Sequence, residues 1–133
     1  MKKFESENVQ LNSSAEHVFE YVGNLSNFGK FMPEQITNWQ STADTCSFTV
    51  QNMTTLSMKV QERVPFERIN VVPDGKTPFD FSLQVILIPI RTDHCEAKIV
   101  FNADLNPVFS MMASKPLQNL VDLMAKNLEK IYA

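Results

Sequence analysis

The stretch SSAEHVFEYVGNLSNFGKFMP, residues 13–33, decides how this chain is read. Ser13-Ser14-Ala15-Glu16 matches a capping box, in which the Ser13 hydroxyl accepts from the Glu16 amide while the Glu16 side chain reaches back. Ala15, Val18, Phe19 and Val22 follow at helical spacing, and Gly23 supplies the stop. Residues 24–33 read as a second short helix ended by Pro33, with Phe28, Phe31 and Met32 three and four apart on one face. Two short helices therefore follow a first strand at residues 4–11.

Working outward from that pair, residues 46–105 read as a succession of strands and turns. Cys46, Phe48 and Val50 alternate with Ser47, Thr49 and Gln51, and Leu56, Met58 and Val60 alternate with Ser57, Lys59 and Gln61. Residues 66–72 form a shorter strand between Pro65 and Pro73, and Asp74-Gly75-Lys76 is a turn by composition. Phe79, Phe81, Leu83, Val85 and Leu87 form one apolar phase; Cys95, Ala97, Ile99, Phe101, Ala103 and Leu105 form another, with Thr92-Asp93 closing the hairpin between them. Such clean period-2 alternation with short turns predicts half-buried antiparallel strands. At residue 107 the period changes to 3.6. Ala113, Leu117, Leu120, Val121, Met124, Leu128 and Ile131 make one stripe of an amphipathic helix, in which Pro116 should introduce a kink or a break. The expected fold class is α+β: a curved antiparallel sheet of six to seven strands wrapped around a long C-terminal helix, with two short helices after the first strand.

Composition narrows the function classes. The chain has 133 residues, enough for one domain with a real core, and is 44% apolar with 20% charged residues. A net charge of −3 argues against nucleic acid, which calls for a basic face, and against a polybasic membrane contact. The longest apolar run, residues 85–90, is too short to cross a bilayer, so no stable membrane insertion is expected. Lys2-Lys3 has no apolar run behind it, so a cytoplasmic location is expected. Cys46 and Cys95 lack CxxC or Cys/His ligand spacing and read as buried small apolar residues.

The 13–33 segment, the two long final strands and the terminal helix together resemble the START/Bet v 1-like (SRPBCC) superfamily, the helix-grip proteins that include polyketide cyclases/dehydrases, lipid-transport and coenzyme Q-binding proteins. The resemblance rests on Val18-Phe19, Leu25, Phe28, Phe31 and Pro33 and on an element order spanning residues 1–133 as one domain. It implies an apolar cavity between the terminal helix and the concave sheet face, closed at one end by the short helix pair. Since one fold carries unrelated activities, it speaks to fold more than to function.

On this reading the cavity is lined by Phe31, Met32, Phe48, Met58, Phe81, Leu83, Phe101, Met111, Met112, Leu117, Leu120 and Met124. Each could equally be plain core. Met111 and Met112, just before Pro116, are the expected gate, because methionine packs adaptably. Arg68 either points inward to hold a ligand carboxylate or hydroxyl, or stands exposed, which is the commoner fate. Asp80, Asp104, Glu62 and Glu67 are the candidates for acid/base work, but Asp80 and Asp104 fall on the polar phase of their strands, so no catalytic residue is assigned. His17 and His94 have no partners at ligand spacing, so no metal and no cofactor is expected. Ile86, Ile88 and Ile90 break the alternation and mark either a β-bulge or a homodimer contact. The leading expectation is binding, transport or sequestration of a small hydrophobic molecule. A polyketide cyclase/dehydratase-like enzyme and an interaction module with a closed cavity are the alternatives.

Overall fold

The computed structural model describes residues 2–34, 36–50, 55–77 and 79–133. Eight strands form one antiparallel sheet: β1 (Lys2–Glu5), β2 (Val9–Leu11), β3 (Ile36–Ser41), β4 (Thr45–Val50), β5 (Thr55–Val64), β6 (Arg68–Pro73), β7 (Phe81–Arg91) and β8 (His94–Ala103). Their order is β1-β8-β7-β6-β5-β4-β3, with β2 also paired to β8. Helix α1 (Ala15–Val22) and a 3-10 helix (Leu25–Lys30) follow β2, and α2 (Pro107–Ile131) closes the chain. This is the expected helix-grip arrangement, with α2 packed on β8, β1 and β2, and α1 packed on β7, β6 and β8.

Two strands escape the period-2 reading. The expected single strand at 4–11 is two, because the chain leaves the ladder at Ser6. There the Ser6 amide donates to the Ile99 carbonyl while its hydroxyl accepts from the Ile99 amide, both at 2.9 Å, so β8 loses no hydrogen bond at the break. β3 lies where no strand was expected: it is polar apart from Ile36 and Trp39 and carries a register shift at Thr37/Gln40, with Asn38 at φ 55°. Gln51, expected to end the strand that is β4, lies outside the described residues.

The caps also move. Ser14, not Ser13, is the N-cap of α1, accepting from the His17 amide at 3.1 Å. Pro116 does not divide α2, which runs unbroken over 25 residues and holds Pro116 inside. Its first turn is pinned by Asn106, whose side chain accepts from the Phe109 amide at 2.7 Å, with Pro107 preset at N1.

The isoleucine anomaly resolves in two parts. Burial keeps alternating through Leu87, so Ile86 and Ile88 point away from the core and no change of face occurs there. A register shift does occur, but later, between Pro89 and Arg91.

Candidate functional site

The inward faces of β4–β8 and the stripe of α2 meet in a wholly apolar interior. Phe31, Phe48, Met58, Phe101, Leu117 and Met124 expose no surface, and Phe81, Leu83 and Leu120 almost none. A void large enough for water would leave exposed surface on its lining, so at these side chains the space beneath α2 is filled by their own atoms. The Phe81 and Phe101 rings stack 5.3 Å apart at 8°, and Trp39 stacks on Phe48 at 5.6 Å. Trp39 lies so close over Gly29 that a Cβ there would sit 2.8 Å from the indole nitrogen, which is why residue 29 has no side chain. Met32 is half-buried against the same core.

Three expected lining residues lie elsewhere. Met111 and Met112 are 86% and 66% exposed on the outside of α2. The reason is angular: Ala113 faces the sheet, and at 100° per residue Met112 and Met111 fall 100° and 200° round the helix from it. Arg68 pairs in register with Ile86 on the outer face of the sheet and reaches Glu62 at 3.7 Å; Ile69 and Val71 are the inward residues of β6.

The interior meets the surface at the start of α2. Phe79, Leu105 and Phe109, with Asp80, Asp104 and Asn106, line an open groove of about 460 Å³. The Asp104 amide donates to the Asp80 carbonyl at 2.9 Å, which ties the two rims together at their backbones while both carboxylates face water. From this groove a run of rings leads inward: Phe109 to Phe79 at 5.4 Å, Phe79 to Phe81 at 5.7 Å, then Phe81 to Phe101. Phe109 was missed by the strand and helix periods because it flanks the stripe of α2; the signal available was Asn106-Pro107, which caps the helix and places Phe109 in its first turn. A second groove, between Glu7-Asn8-Val9 and Asp122, Ala125, Lys126 and Glu129 of α2, has no aromatic side chain in its lining and no run of rings leading inward from it.

Titratable groups stand apart from this interior. Ser6 is the one buried polar side chain among the described residues, and Glu62, Glu67, Asp80 and Asp104 are exposed. His17 packs edge-on to Tyr132, and His94 bonds Gln10. Both cysteines are free and buried. Burial pushes the Cys46 thiol up to about 12, and burial, followed by the neighbouring Tyr21 and Cys95, pushes Tyr132 up to about 12.

The Cys46 shift carries a pH prediction. As pH rises past the unfolded thiol's 9, the unfolded chain releases a proton that the folded chain keeps, so stability present below pH 9 is lost progressively toward pH 12. The loss is on the order of a few kcal/mol. Urea midpoints measured from pH 8 to 11 should fall in the native chain, and Cys46→Ala should flatten the slope. An equal slope in both would remove Cys46 as its cause.

No family model matches the sequence, and no curated protein matches it. Solved structures do. A START superfamily protein from Mycobacterium smegmatis superposes with a TM-score of 0.75 at 15% identity, over 98% of this chain and 96% of that one. The chain has a START-like helix-grip fold. A protein from Thermobifida fusca gives 0.71 at 17% identity, covering 99% and 93%. The di-domain ARO/CYC BexL gives 0.65 at 12% identity, and there 97% of this START-like chain covers 47% of the larger protein. At such identities the likeness concerns fold. Among the described residues, no helix is long and apolar enough to cross a membrane.

Proposed function

We propose that this START-like domain, residues 1–133, binds a small hydrophobic molecule of the lipid, quinone, isoprenoid or polyketide-like class, taken in at the Phe79–Phe109 groove and lodged between α2 and the sheet. The observation that carries the reading is the run of four rings, Phe109, Phe79, Phe81 and Phe101, which leads from open groove to filled interior without a charged side chain in its path. A guest enters by displacing the outer rings. The start of α2 is the end that yields, because the Lys2 ammonium contacts with Ser110 and Ser114 that hold it are exposed. The far end is fastened by the Asn127 amide donating to the Phe31 carbonyl and the Asn12 amide donating to the Tyr132 carbonyl. Burying about 300 Å² of apolar ligand surface supplies roughly 7 kcal/mol before ordering costs.

Titration with the apolar dye Nile red tests this, beside native mass spectrometry of the purified chain for a co-purifying hydrophobic species. Phe109→Asp should weaken dye binding at least about tenfold, or 1.4 kcal/mol, while Met111→Lys, on the outer side of α2, leaves it unchanged. Equal binding by wild type and Phe109→Asp, or no uptake at all, would overturn the proposal.

The filled interior favours a second reading, an interaction module whose cavity is closed; a chain that never takes up dye or lipid would support it. A cyclase/dehydratase role has less to rest on, since a proton-transfer step needs a titratable side chain beside the substrate. Asp80 and Asp104, at the rim of the groove, are the nearest described carboxylates.

A further inference from the structure

The outer face of the sheet carries an apolar patch that neither the core nor the groove uses. Ile88 and Ile90 are 36% and 48% exposed, and Ile86 lies beside them; Phe66, 44% exposed, stands at the end of the sheet, turned toward α1. Phe66 sits in the β5–β6 turn at φ 65°, a left-handed conformation that a bulky side chain adopts at a cost of about 1–3 kcal/mol. The Phe19 ring holds it edge-on at 5.8 Å. A shallow groove of about 390 Å³ runs beside it, lined by Arg68, Gln84, Ile86, Ile88 and Pro89 among others.

Charge is ordered across this patch. Register places Arg68, Ile86 and Lys98 in one cross-strand row, so that two cations flank an isoleucine. The next outward row is Ile88 with Glu96, and the turn carrying Phe66 and Glu67 reaches the same level, where the Leu87 amide donates to the Glu67 carbonyl at 2.7 Å. One row is basic and the next is acidic. A two-fold axis lying in the face, perpendicular to β7, reverses strand direction but keeps each strand over its own copy. The Ile86 row then meets the partner's Ile88 row: Lys98 faces the second copy's Glu96, Arg68 faces its Glu67, and Ile86 faces its Ile88. The patch is complementary to itself under the commonest symmetry of protein dimers. Heads of the same rows are already held in place within the chain, Lys98 by Glu5 at 2.9 Å and Glu96 by Gln10 and Asn8, so little side-chain order has to be imposed on contact.

We propose that this face, centred on Ile86 and Ile88, joins two copies of the chain in an antiparallel, isologous dimer. The facing ions lie at the solvent-exposed surface, where salt screens them, so the dimer is weak and salt-sensitive.

Sedimentation equilibrium across roughly 1 µM to 500 µM, the span in which such affinities fall, tests this on the intact chain. The weight-average mass should climb from 15.2 kDa toward twice that value with concentration, and less so at high salt. Ile88→Lys should remain monomeric throughout, with circular dichroism confirming that it folds. Lys98→Glu and Glu96→Lys should each weaken association at least tenfold, and the two together should restore it. A wild-type chain that is monomeric at every concentration, including one that meets a different protein at this face, overturns the proposal. So does an Ile88→Lys chain that dimerises normally, or a double charge variant no better than the singles.

Discussion

Phe101→Ala will lower the unfolding free energy by about 3–5 kcal/mol, the range for deleting a large buried ring. Phe101 lies in β8 two residues before its end, opposite Phe4 on one side and Leu83 on the other, exposes no surface, and stacks on Phe81. Its neighbours belong to strands paired along their length and to an unbroken helix, so they cannot collapse far into the space. The expected result is a lower urea midpoint at unchanged m-value. The cavity left, on the order of 100 Å³, is lined by apolar groups and should stay dry and accept a small apolar guest such as benzene or xenon. Because Phe101 is the innermost ring of the run leading from the groove, the same substitution should tighten Nile red binding. That sign separates the two functional readings: a closed module gains a hole, whereas a ligand-binding domain gains affinity through the groove. A destabilisation under about 1 kcal/mol would mean the ring is not packed as described.

How far the fold could be read beforehand follows from how strongly each element is constrained. β8 was legible because a strand paired on both sides, with α2 over its inner face, keeps its alternation: Cys95, Ala97, Ile99, Phe101 and Ala103 all point inward, and Val100 is the one buried residue out of phase. The Thr92-Asp93 turn was legible for the same reason, since both flanking strands fix its register. β3 was not: it is an edge strand with one neighbour, and its shift at Thr37/Gln40 destroys any period. The interior side chains Phe48, Met58, Leu83, Leu117 and Met124 were legible as inward, but whether they enclose space or fill it depends on how closely α2 settles, which no local pattern records. Met111 and Met112 show how composition misleads. Their softness suggested a gate, while the stripe of Ala113, Leu117 and Leu120 already placed them on the other side of the helix. The Phe79–Phe109 groove joins residues 30 positions apart, through a loop and a helix start whose meeting is purely tertiary.

Leu120→Asp tests whether α2 is held by its apolar stripe, and its effect should be at least as large as that of the cavity. Leu120 is buried near the middle of the helix, between Leu117, Val121 and Met124. An aspartate side chain is too short to carry its charge out to water along the helix surface, as a lysine could. The substitution therefore removes leucine packing worth about 2–5 kcal/mol and leaves a carboxylate that must either take up a proton or bury a charge without a partner, which costs several kcal/mol more. Against a total stability of about 5–15 kcal/mol, the chain should lose its cooperative thermal transition at neutral pH. Acid should partly restore it, because a protonated aspartic acid is far cheaper to bury than its anion. Leu120→Met, nearly equal in volume, should cost less than about 1.5 kcal/mol. Near-ultraviolet circular dichroism reports the aromatic stacks and far-ultraviolet the helix, so the two together tell detachment of α2 from global unfolding. If Leu120→Asp melts like the native chain at pH 7, α2 does not rest on the sheet through this face, and no guest could be held between them.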